Sequence, residues 1–303
     1  MKHWLKVTLA ATVCLLLVLT AALLWRTRKE AHGLISAPMA TRNLPDESPG
    51  DYNMIYEELT ITSADGLRLA GWFIPSKNGA VIMMQHGYKA TRDEMLNEAE
   101  MVHRHGYAVL ITSIRAHDLS EGEEIYFGLK EMQDLDAWYQ YLLNRQDIDP
   151  DRIGILGNSY GGMLSIGYAA QNENIKAVVA DSAFSSLNDT VATSVKYFTG
   201  LPEFPFVPLI VFWAEQEAGF KAEEVDATRW IAEISPRPVF LMQGGADVVI
   251  SPSSGQRLFA AAGQPKELWF EPQLGHVDFD TAMAEEFERR IMEFFDKYLI
   301  GLQ

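Results

Sequence analysis

Short apolar segments alternate with longer amphipathic segments through most of this chain, and this alternation restricts the fold more than any other feature. The apolar segments have the composition of buried strands and lie at about residues 80–85, 108–112, 152–156, 177–180, 238–242 and 267–270. The helix-like segments lie at about residues 92–105, 129–144, 160–171, 252–262 and 281–299. Strands that alternate with helices in this way are typical of a parallel sheet covered on both faces. We therefore predict an α/β fold around a mostly parallel central sheet.

Two further features complete the predicted domain. The alternating runs Glu57–Thr62 and Leu67–Ile74 are joined by the turn-like Ser63–Gly66, which predicts an N-terminal β-hairpin. The alternation of strands and helices stops once, at about residues 184–235, where no strand pattern is present. We expect a short helical cap insertion there.

The middle of this insertion is dense in proline and aromatic residues, from Leu201 to Trp213. Its apolar part, Phe204 to Ala214, is shorter than the roughly 20 residues that a membrane-spanning helix needs. The composition still allows it to lie on a membrane surface or to line an acyl pocket.

The N-terminus contains a run of 19 uncharged residues, Val7–Trp25. At about 1.5 Å per residue, a helix of this length matches the thickness of the bilayer core. Basic residues flank the run on both sides, namely Lys2, Lys6, Arg26, Arg28 and Lys29. The apolar core of a cleaved signal peptide is usually only about 7–15 residues long, so we favour an uncleaved single-span anchor, with cleavage and secretion as the alternative.

These features divide the chain into three parts. We predict a transmembrane anchor with basic flanks at residues 1–30 and a tether at residues 31–51, where prolines occur without periodicity. The folded domain is expected at residues 52–303. The positive charges on the two flanks of the anchor nearly balance, so the preference for a domain outside the cytoplasm is only slight.

Composition excludes several classes of function. The formal net charge of −16 argues against a nucleic-acid partner, because binding phosphates needs a basic face. The single cysteine, Cys14, lies in the apolar run, so an intramolecular disulfide and a cysteine zinc site are excluded. The sequence has neither a metal-binding motif nor a phosphate-binding or dinucleotide motif, and we expect no metal and no cofactor. Nothing in it indicates the oligomeric state.

A Gly-x-Ser-x-Gly motif supplies the clearest sign of chemistry. Gly157-Asn-Ser159-Tyr-Gly161 follows the apolar strand Ile153–Leu156 and precedes a helix-like segment. A sharp turn between a strand and a helix exposes the serine hydroxyl, and the glycines allow the backbone to make that turn. Ser159 is therefore the candidate nucleophile.

The hairpin, the alternating strands and helices, the serine motif and an acid followed by a histidine downstream together resemble the α/β-hydrolase superfamily. The similarity covers about residues 52–300 and is greatest to the esterase and prolyl-oligopeptidase-like branches. It implies a general base at His276, in the loop after the last strand, and an orienting acid at Asp247, after the preceding strand. Asp181 and Asp278 are the competing candidates for the acid.

The same resemblance implies an oxyanion hole made of two backbone N–H groups. One belongs to Tyr160, which follows the nucleophile, and the other to Tyr88 in the loop Gln85-His-Gly-Tyr88. His86 is expected to support this loop rather than act as a base. Related enzymes often carry a glycine-containing loop near residues 113–122, where this chain has Ala116 and Asp118 in place of two glycines. We expect that loop to be structural.

The expected activity is hydrolysis of carboxylic esters through an acyl-enzyme intermediate, with a small-molecule acyl substrate. Thioesterase, lipase and aminoacyl-peptidase reactions use the same groups and remain open. A binding protein without catalytic activity on the same scaffold is the alternative from another class.

Overall fold

The computed structural model describes residues 2–75 and 77–301 and is built around one eight-stranded sheet. Its strands are β1 Glu57–Thr62, β2 Arg68–Ile74, β3 Val81–Gln85, β4 Ala108–Thr112, β5 Ile153–Asn158, β6 Ala177–Asp181, β7 Val239–Gly244 and β8 Lys266–Glu271. They lie in the order β1-β2-β4-β3-β5-β6-β7-β8. Strand β2 pairs antiparallel with β1 and β4, and every other pairing is parallel. The predicted α/β-hydrolase fold and its N-terminal hairpin are confirmed.

Ten α-helices lie within the described residues. They are α1 Lys2–Ile35, α2 Leu96–Arg104, α3 Glu131–Leu143, α4 Tyr160–Gln171, α5 Leu187–Thr199, α6 Glu203–Ala218, α7 Ala227–Ala232, α8 Ser253–Ala261, α9 Phe279–Ala282 and α10 Ala284–Phe295. The C-terminal segment predicted as one helix is divided into α9, α10 and a final π-helical turn, Asp296–Ile300. Between β6 and β7 the chain is helical, as expected for a cap.

The sheet separates two apolar cores because successive side chains of a strand point to opposite faces. In β3, Val81 and Met83 belong to the core under α3, α4 and the cap. Ile82 and Met84 belong to the core under α2 and α10. Strands buried on both faces read as continuous apolar runs, and this explains why the sequence pattern located them.

The carboxyl ends of the parallel strands meet at one edge of the sheet, and the site residues follow these ends. Ser159 follows β5, Asp247 follows β7 and His276 follows β8. The cap helices α5, α6 and α7 lie between β6 and β7 in the sequence. This edge is where open α/β sheets bind their ligands.

The segment expected to be a tether packs on the domain instead. Helix α1 continues to Ile35, and its last turns bury Thr27, Ala31 and Ile35, which recur every four residues on one face. Beyond the helix, the Arg42 guanidinium donates to the carbonyl oxygens of Ser120 and Gly122. Two of the three prolines that suggested a flexible linker, Pro38 and Pro49, lie beside or in short 3₁₀ turns, so proline content alone did not indicate mobility.

Helix α1 is the longest apolar element of the described chain. The segment His3–Ile35 is long and apolar enough to cross a membrane, and a signal sequence near an N-terminus can meet the same criteria. Helices α5 and α6 together have the same apolar character but are bent by 112° at the break between them. The structure thus has one N-terminal apolar helix and one bent apolar pair.

Candidate active site

Ser159 lies on the turn between β5 and α4 with a strained backbone. Its φ of +54° and ψ of −113° fall in a region that residues with a side chain rarely adopt. Strain of this kind costs about 1–3 kcal/mol and is concentrated at functional sites. The turn brings the Ser159 side chain to the cavity lining, where the residue is 8% exposed.

The two glycines of the motif are required by close backbone contacts. A Cβ atom on Gly157 would lie 2.2 Å from the carbonyl oxygen of Gly161. A Cβ atom on Gly161 would lie 2.1 Å from the carbonyl oxygen of Gln85, at the end of β3. A side chain at either position would therefore push apart the elements that carry Ser159 and the neighbouring loop.

The imidazole of His276 lies between Ser159 and Asp247. Its Nε2 atom is 2.9 Å from the Ser159 hydroxyl oxygen, and its Nδ1 atom is 2.8 Å from a carboxylate oxygen of Asp247. The three side chains predicted from the sequence are thus in one hydrogen-bonded chain. This geometry allows the imidazole to accept a proton from the hydroxyl while the carboxylate fixes the ring.

The Asp247 carboxylate is fully buried and held by four donors. One oxygen accepts hydrogen bonds of 2.8 Å from the backbone N–H groups of Val249 and Ile250. The other accepts from the Gln243 amide at 3.2 Å as well as from His276. Because both oxygens are occupied, the carboxylate has a fixed orientation towards the ring.

The two competing acids support the histidine loop without contacting the imidazole. Asp278 accepts a 2.9 Å hydrogen bond from the backbone N–H of Gly275, just before His276. Asp181 accepts from the Ser182 hydroxyl, which itself accepts from the backbone N–H of Val277. Burial raises the pKa of Asp181 well above its usual value. Both acids therefore fix the loop on either side of the ring.

The loop that contains Tyr88 is held on both sides of this residue. The backbone N–H of Gly87 donates to the Glu94 carboxylate at 2.8 Å, and that of Lys89 donates to Nε2 of His117 at 2.9 Å. The Tyr88 ring packs edge-to-face on that of Tyr160, with centroids 6.2 Å apart. Tyr160 is the first residue of α4, and the first N–H groups of a helix have no acceptor within it. The structure brings both tyrosines next to Ser159, where all three line one cavity.

His86 and His117 are buried and neutral. The Nδ1–H group of His86 donates to the backbone carbonyl of Gly87, and that of His117 donates to the backbone carbonyl of Arg115. In both rings Nε2 accepts a hydrogen bond from a backbone N–H group. Burial lowers the pKa of His86 to about 4 and that of His117 to about 3. Neither ring can exchange a proton with Ser159 while these bonds hold.

The loop at residues 113–122, in which two glycines of the family pattern are replaced, adopts at those two positions the backbone conformation that glycine favours. Ala116 and Asp118 have φ values of +58° and +45°. Nearby, Arg115 binds the Asp134 carboxylate through two hydrogen bonds of 2.6 Å. The ion pair and the surrounding hydrogen bonds hold the turn although both glycines are replaced.

A cavity of 310 Å³ extends from Ser159 and His276 beneath the cap. Its lining is mostly apolar. The main apolar contributors are Leu34, Tyr88, Phe127, Phe184, Leu187, Val191, Tyr197, Phe198, Ile210, Val211, Ala214, Phe220, Val249 and Ile250. Two carboxylates also line it, but Glu94 is bonded to Gly87 and Glu215 to Lys221 and Ala222. The cavity therefore suits an apolar group next to the serine.

Two residues of this site were not found from the sequence. Leu34 was assigned to a tether, yet it lines the cavity, and an apolar residue one turn after Ala31 was the available signal. Glu94 follows the loop that contains Tyr88 by a few residues, and nothing in its sequence context distinguishes it from a solvent-exposed helix residue. For residues 2–75 and 77–301, no cluster of three or more His, Cys, Asp or Glu side chains is arranged to hold a metal ion.

Comparisons with known proteins agree with this architecture. The protein YfhR of Escherichia coli strain K12 is 27% identical over 248 residues, which cover 78% of this chain and 80% of YfhR. The α/β hydrolase domain-containing protein WAV2 of Arabidopsis thaliana is 29% identical, covering 83% of this chain and 82% of WAV2. The solved structure of the Pyrococcus furiosus esterase Pf2001 is 27% identical, with a TM-score of 0.75 over 88% of this chain and 98% of Pf2001.

The sequence profile of the prolyl oligopeptidase family matches residues 95–301, more than half of the chain. The matched region contains the strand that precedes Ser159 and the loops that carry Asp247 and His276. Together with the α/β-hydrolase fold, this match assigns the chain to the hydrolases. The chain belongs to the prolyl oligopeptidase family.

Proposed function

We propose that the chain is a serine esterase, tethered to a membrane by α1, that cleaves carboxylic esters through an acyl-enzyme intermediate. The observation that carries this proposal is the hydrogen-bonded chain from Ser159 through His276 to Asp247. It lies at the end of an apolar cavity, as an enzyme that binds an acyl or alkyl group requires. The 27% identity to an esterase of the same fold supports the ester as substrate.

The proposed reaction has two halves. The Ser159 oxygen forms a bond to the acyl carbon while its proton moves to Nε2 of His276. When the tetrahedral intermediate collapses, the bond to the alkoxy oxygen breaks, and the imidazolium returns the proton to the departing alcohol. Water then attacks the acyl-enzyme with the same histidine as base, which releases the carboxylic acid and restores the Ser159 hydroxyl. Asp247 stabilises the imidazolium in both halves.

The oxyanion of each intermediate is assigned to the backbone N–H groups of Tyr88 and Tyr160. Fixed donors of this kind stabilise charge that develops in the transition state, and removing one typically lowers turnover by about 10²–10³. The bonds from Gly87 and Lys89 on either side of Tyr88 support this assignment, since they fix the position of its amide.

An ester fits the cavity better than the amide of a peptide with a free amino terminus. Recognition of an ammonium group needs a carboxylate that is free to pair with it. The two carboxylates of the cavity lining already accept hydrogen bonds from backbone N–H groups and, for Glu215, from a lysine. This leaves acyl-chain contacts as the main source of specificity.

We also propose that α1 is retained in the mature protein as a signal anchor. Its last turns bury Ala31 and Ile35 in the domain core, and its Leu34 lines the cavity. Cleavage of a signal sequence beyond this point would remove part of the core. The direction in which the domain faces stays a prediction, with a slight preference for the outside of the cell.

The test is a screen of p-nitrophenyl esters of graded chain length beside aminoacyl p-nitroanilides. We expect the full chain to hydrolyse esters and Ser159→Ala to lose at least about 10³-fold in turnover. Ser165→Ala is the matched control, because Ser165 lies further along α4 and bonds the Gly161 carbonyl instead of His276. Hydrolysis of anilides in preference to esters would contradict the proposal, and so would equal activity of Ser159→Ala and the wild type.

A further inference from the structure

Helices α1 and α6 run side by side in the same direction. The Arg28 guanidinium lies 5.7 Å from the ring centroid of Trp213, and the His32 imidazole bonds the Glu217 carboxylate. Within each pair the two residues lie 185 positions apart in the sequence, so the two helices keep one register along this contact. Because each helix rises about 1.5 Å per residue, this register brings Pro205, where the regular helix of α6 begins after the non-helical Phe204, to the level of Thr20. The first half of α6 is therefore level with the end of the uncharged run of α1.

The same part of the cap exposes large apolar side chains. Phe204 is 81% exposed, Phe198 is 62% exposed and Phe212 is 48% exposed. Between Thr199 and Ala214 the only charged residue is Glu203. An apolar surface of this kind marks a site of contact with a protein or a membrane. Its position beside an apolar helix of bilayer length favours the membrane.

The catalytic cavity reaches the surface at this apolar tip. Tyr197 and Phe198 line the cavity and are also more than half exposed. Ile210 and Val211 of α6 line the same cavity as Ser159. One wall of the cavity therefore consists of the same two helices whose outer side is apolar.

We propose that α5 and α6 dip into the membrane beside α1, and that the cavity takes an ester with one fatty-acyl chain directly from the bilayer. The substrate class rests on the proposed esterase function. The 112° bend between α5 and α6 is the shape of an element that enters an apolar layer and leaves it on the same side. A volume of 310 Å³ is at the small end of ligand cavities, about 300–1,000 Å³, which suits one chain rather than two.

The position of the cap can be measured directly with one spin label. Cys14 is the only cysteine, so Cys14→Ser gives a background in which Phe204→Cys carries a single nitroxide. Ile55→Cys is the matched control, since Ile55 is 85% exposed near the start of β1, at the opposite edge of the sheet. With the full chain in phosphatidylcholine vesicles, we expect the label at 204 to collide with oxygen and be shielded from a water-soluble nickel chelate. We expect the label at 55 to be accessible to the chelate and to collide less often with oxygen.

Two results of this measurement would overturn the membrane contact. Equal access of the chelate to both labels would mean that the tip lies in water. Protection of the label at 204 from both oxygen and chelate would mean that protein, such as a second copy of the chain, covers it.

The substrate class is tested with Phe204→Glu/Phe212→Glu, because neither residue lines the cavity. The matched control is Ile55→Glu/Leu143→Glu, which adds the same charge at exposed apolar positions away from the cap. We expect the cap variant to hydrolyse a palmitoyl monoglyceride in vesicles at least about tenfold more slowly than the wild type, since it binds the apolar layer more weakly. Its hydrolysis of p-nitrophenyl acetate in detergent should equal that of the control.

The outcomes separate this inference from the proposed function. Full activity of the cap variant on the vesicle substrate would contradict delivery from the bilayer while leaving the esterase intact. Activity of the wild type on the acetate but not on the monoglyceride would contradict the substrate class. If the wild type hydrolyses neither ester, the esterase itself is wrong, whatever the spin labels report.

Discussion

The Tyr88 hydroxyl donates a 2.5 Å hydrogen bond to the backbone carbonyl of Leu34. The loop assigned to the oxyanion hole is therefore joined to the last turn of the N-terminal helix. Burial raises the pKa of Tyr88, so this hydroxyl stays protonated and acts as a donor. The helix predicted from the sequence as an anchor thus lies beside the cavity that Ser159, the proposed nucleophile, also lines.

Removal of this hydroxyl should weaken the attachment of α1. Tyr88→Phe loses one hydrogen bond worth about 1 kcal/mol, which corresponds to roughly 2–4 °C in Tm. Thermal unfolding in detergent measures the change. Tyr52→Phe is the control, because its hydroxyl bonds Glu47 on the surface and its loss should leave Tm almost unchanged. If Tm is the same for Tyr88→Phe and the control, the bond does not stabilise the contact.

Asp247→Asn should abolish most of the activity without unfolding the protein. The amide oxygen can still accept from Val249 and Ile250, but the amide nitrogen cannot accept from His276, so the ring is left in the wrong tautomer. We expect kcat for a p-nitrophenyl ester to fall by about 10⁴. Asp278→Asn should lose far less, since Asp278 contacts only the loop backbone. Comparable losses in the two variants would exclude Asp247 as the specific orienting acid.

Glu94 should influence turnover through the Gly87 amide. Glu94→Ala removes the acceptor that positions the loop before Tyr88. We expect kcat to fall by roughly tenfold, with KM nearly unchanged. This loss is smaller than the fall of about 10²–10³ in kcat that follows removal of an oxyanion donor itself. Glu94→Gln keeps an acceptor oxygen and should retain most of the turnover. Equal losses of kcat in the two variants would contradict the role of Glu94 as an acceptor.

Glu98 should make stability depend on pH in a direction that can be checked. This side chain is 2% exposed, and burial, the largest cause, raises its pKa from 4.5 to about 7. Between these values the folded state holds a proton that the unfolded state releases. The contribution of Glu98 to the free energy of unfolding is therefore fully present below about pH 4.5. It is lost, by about 3 kcal/mol, as the pH rises through 7.

Glu98→Gln removes this titration and keeps an oxygen that can accept from the Asn158 amide. We expect its free energy of unfolding to exceed that of the wild type by an amount that grows from pH 5 to pH 8. Urea unfolding at both pH values measures this difference. A difference that stays constant with pH would show that Glu98 does not titrate in this range.

The sheet could be predicted from the sequence because its strands are buried on both faces and read as continuous apolar runs. Helix α4 was predicted with its observed bounds, since the motif at Ser159 marks where it begins. The proximity of Ser159, Asp247 and His276 followed from chain order together with the family resemblance, not from composition. Their hydrogen bonds needed the structure.

The sequence was least informative about residues 31–51. Prolines at 38, 45 and 49 indicate turns, but turns can be packed as well as free. What holds this segment is long-range, such as the bonds from Arg42 to carbonyl groups about 80 residues away. Local pattern cannot reveal contacts of this kind. The same limit hid Leu34, whose role depends on where the cap lies.

Covalent labelling can show whether Ser159 is the nucleophile of the folded protein. The folded full chain is treated with a fluorophosphonate, and the adduct is measured by intact mass and located by peptide mapping. We expect one adduct per chain, on Ser159, and none in Ser159→Ala. A folded protein that takes up no label, or a Ser159→Ala variant that is labelled as fully as the wild type, would contradict this role of Ser159.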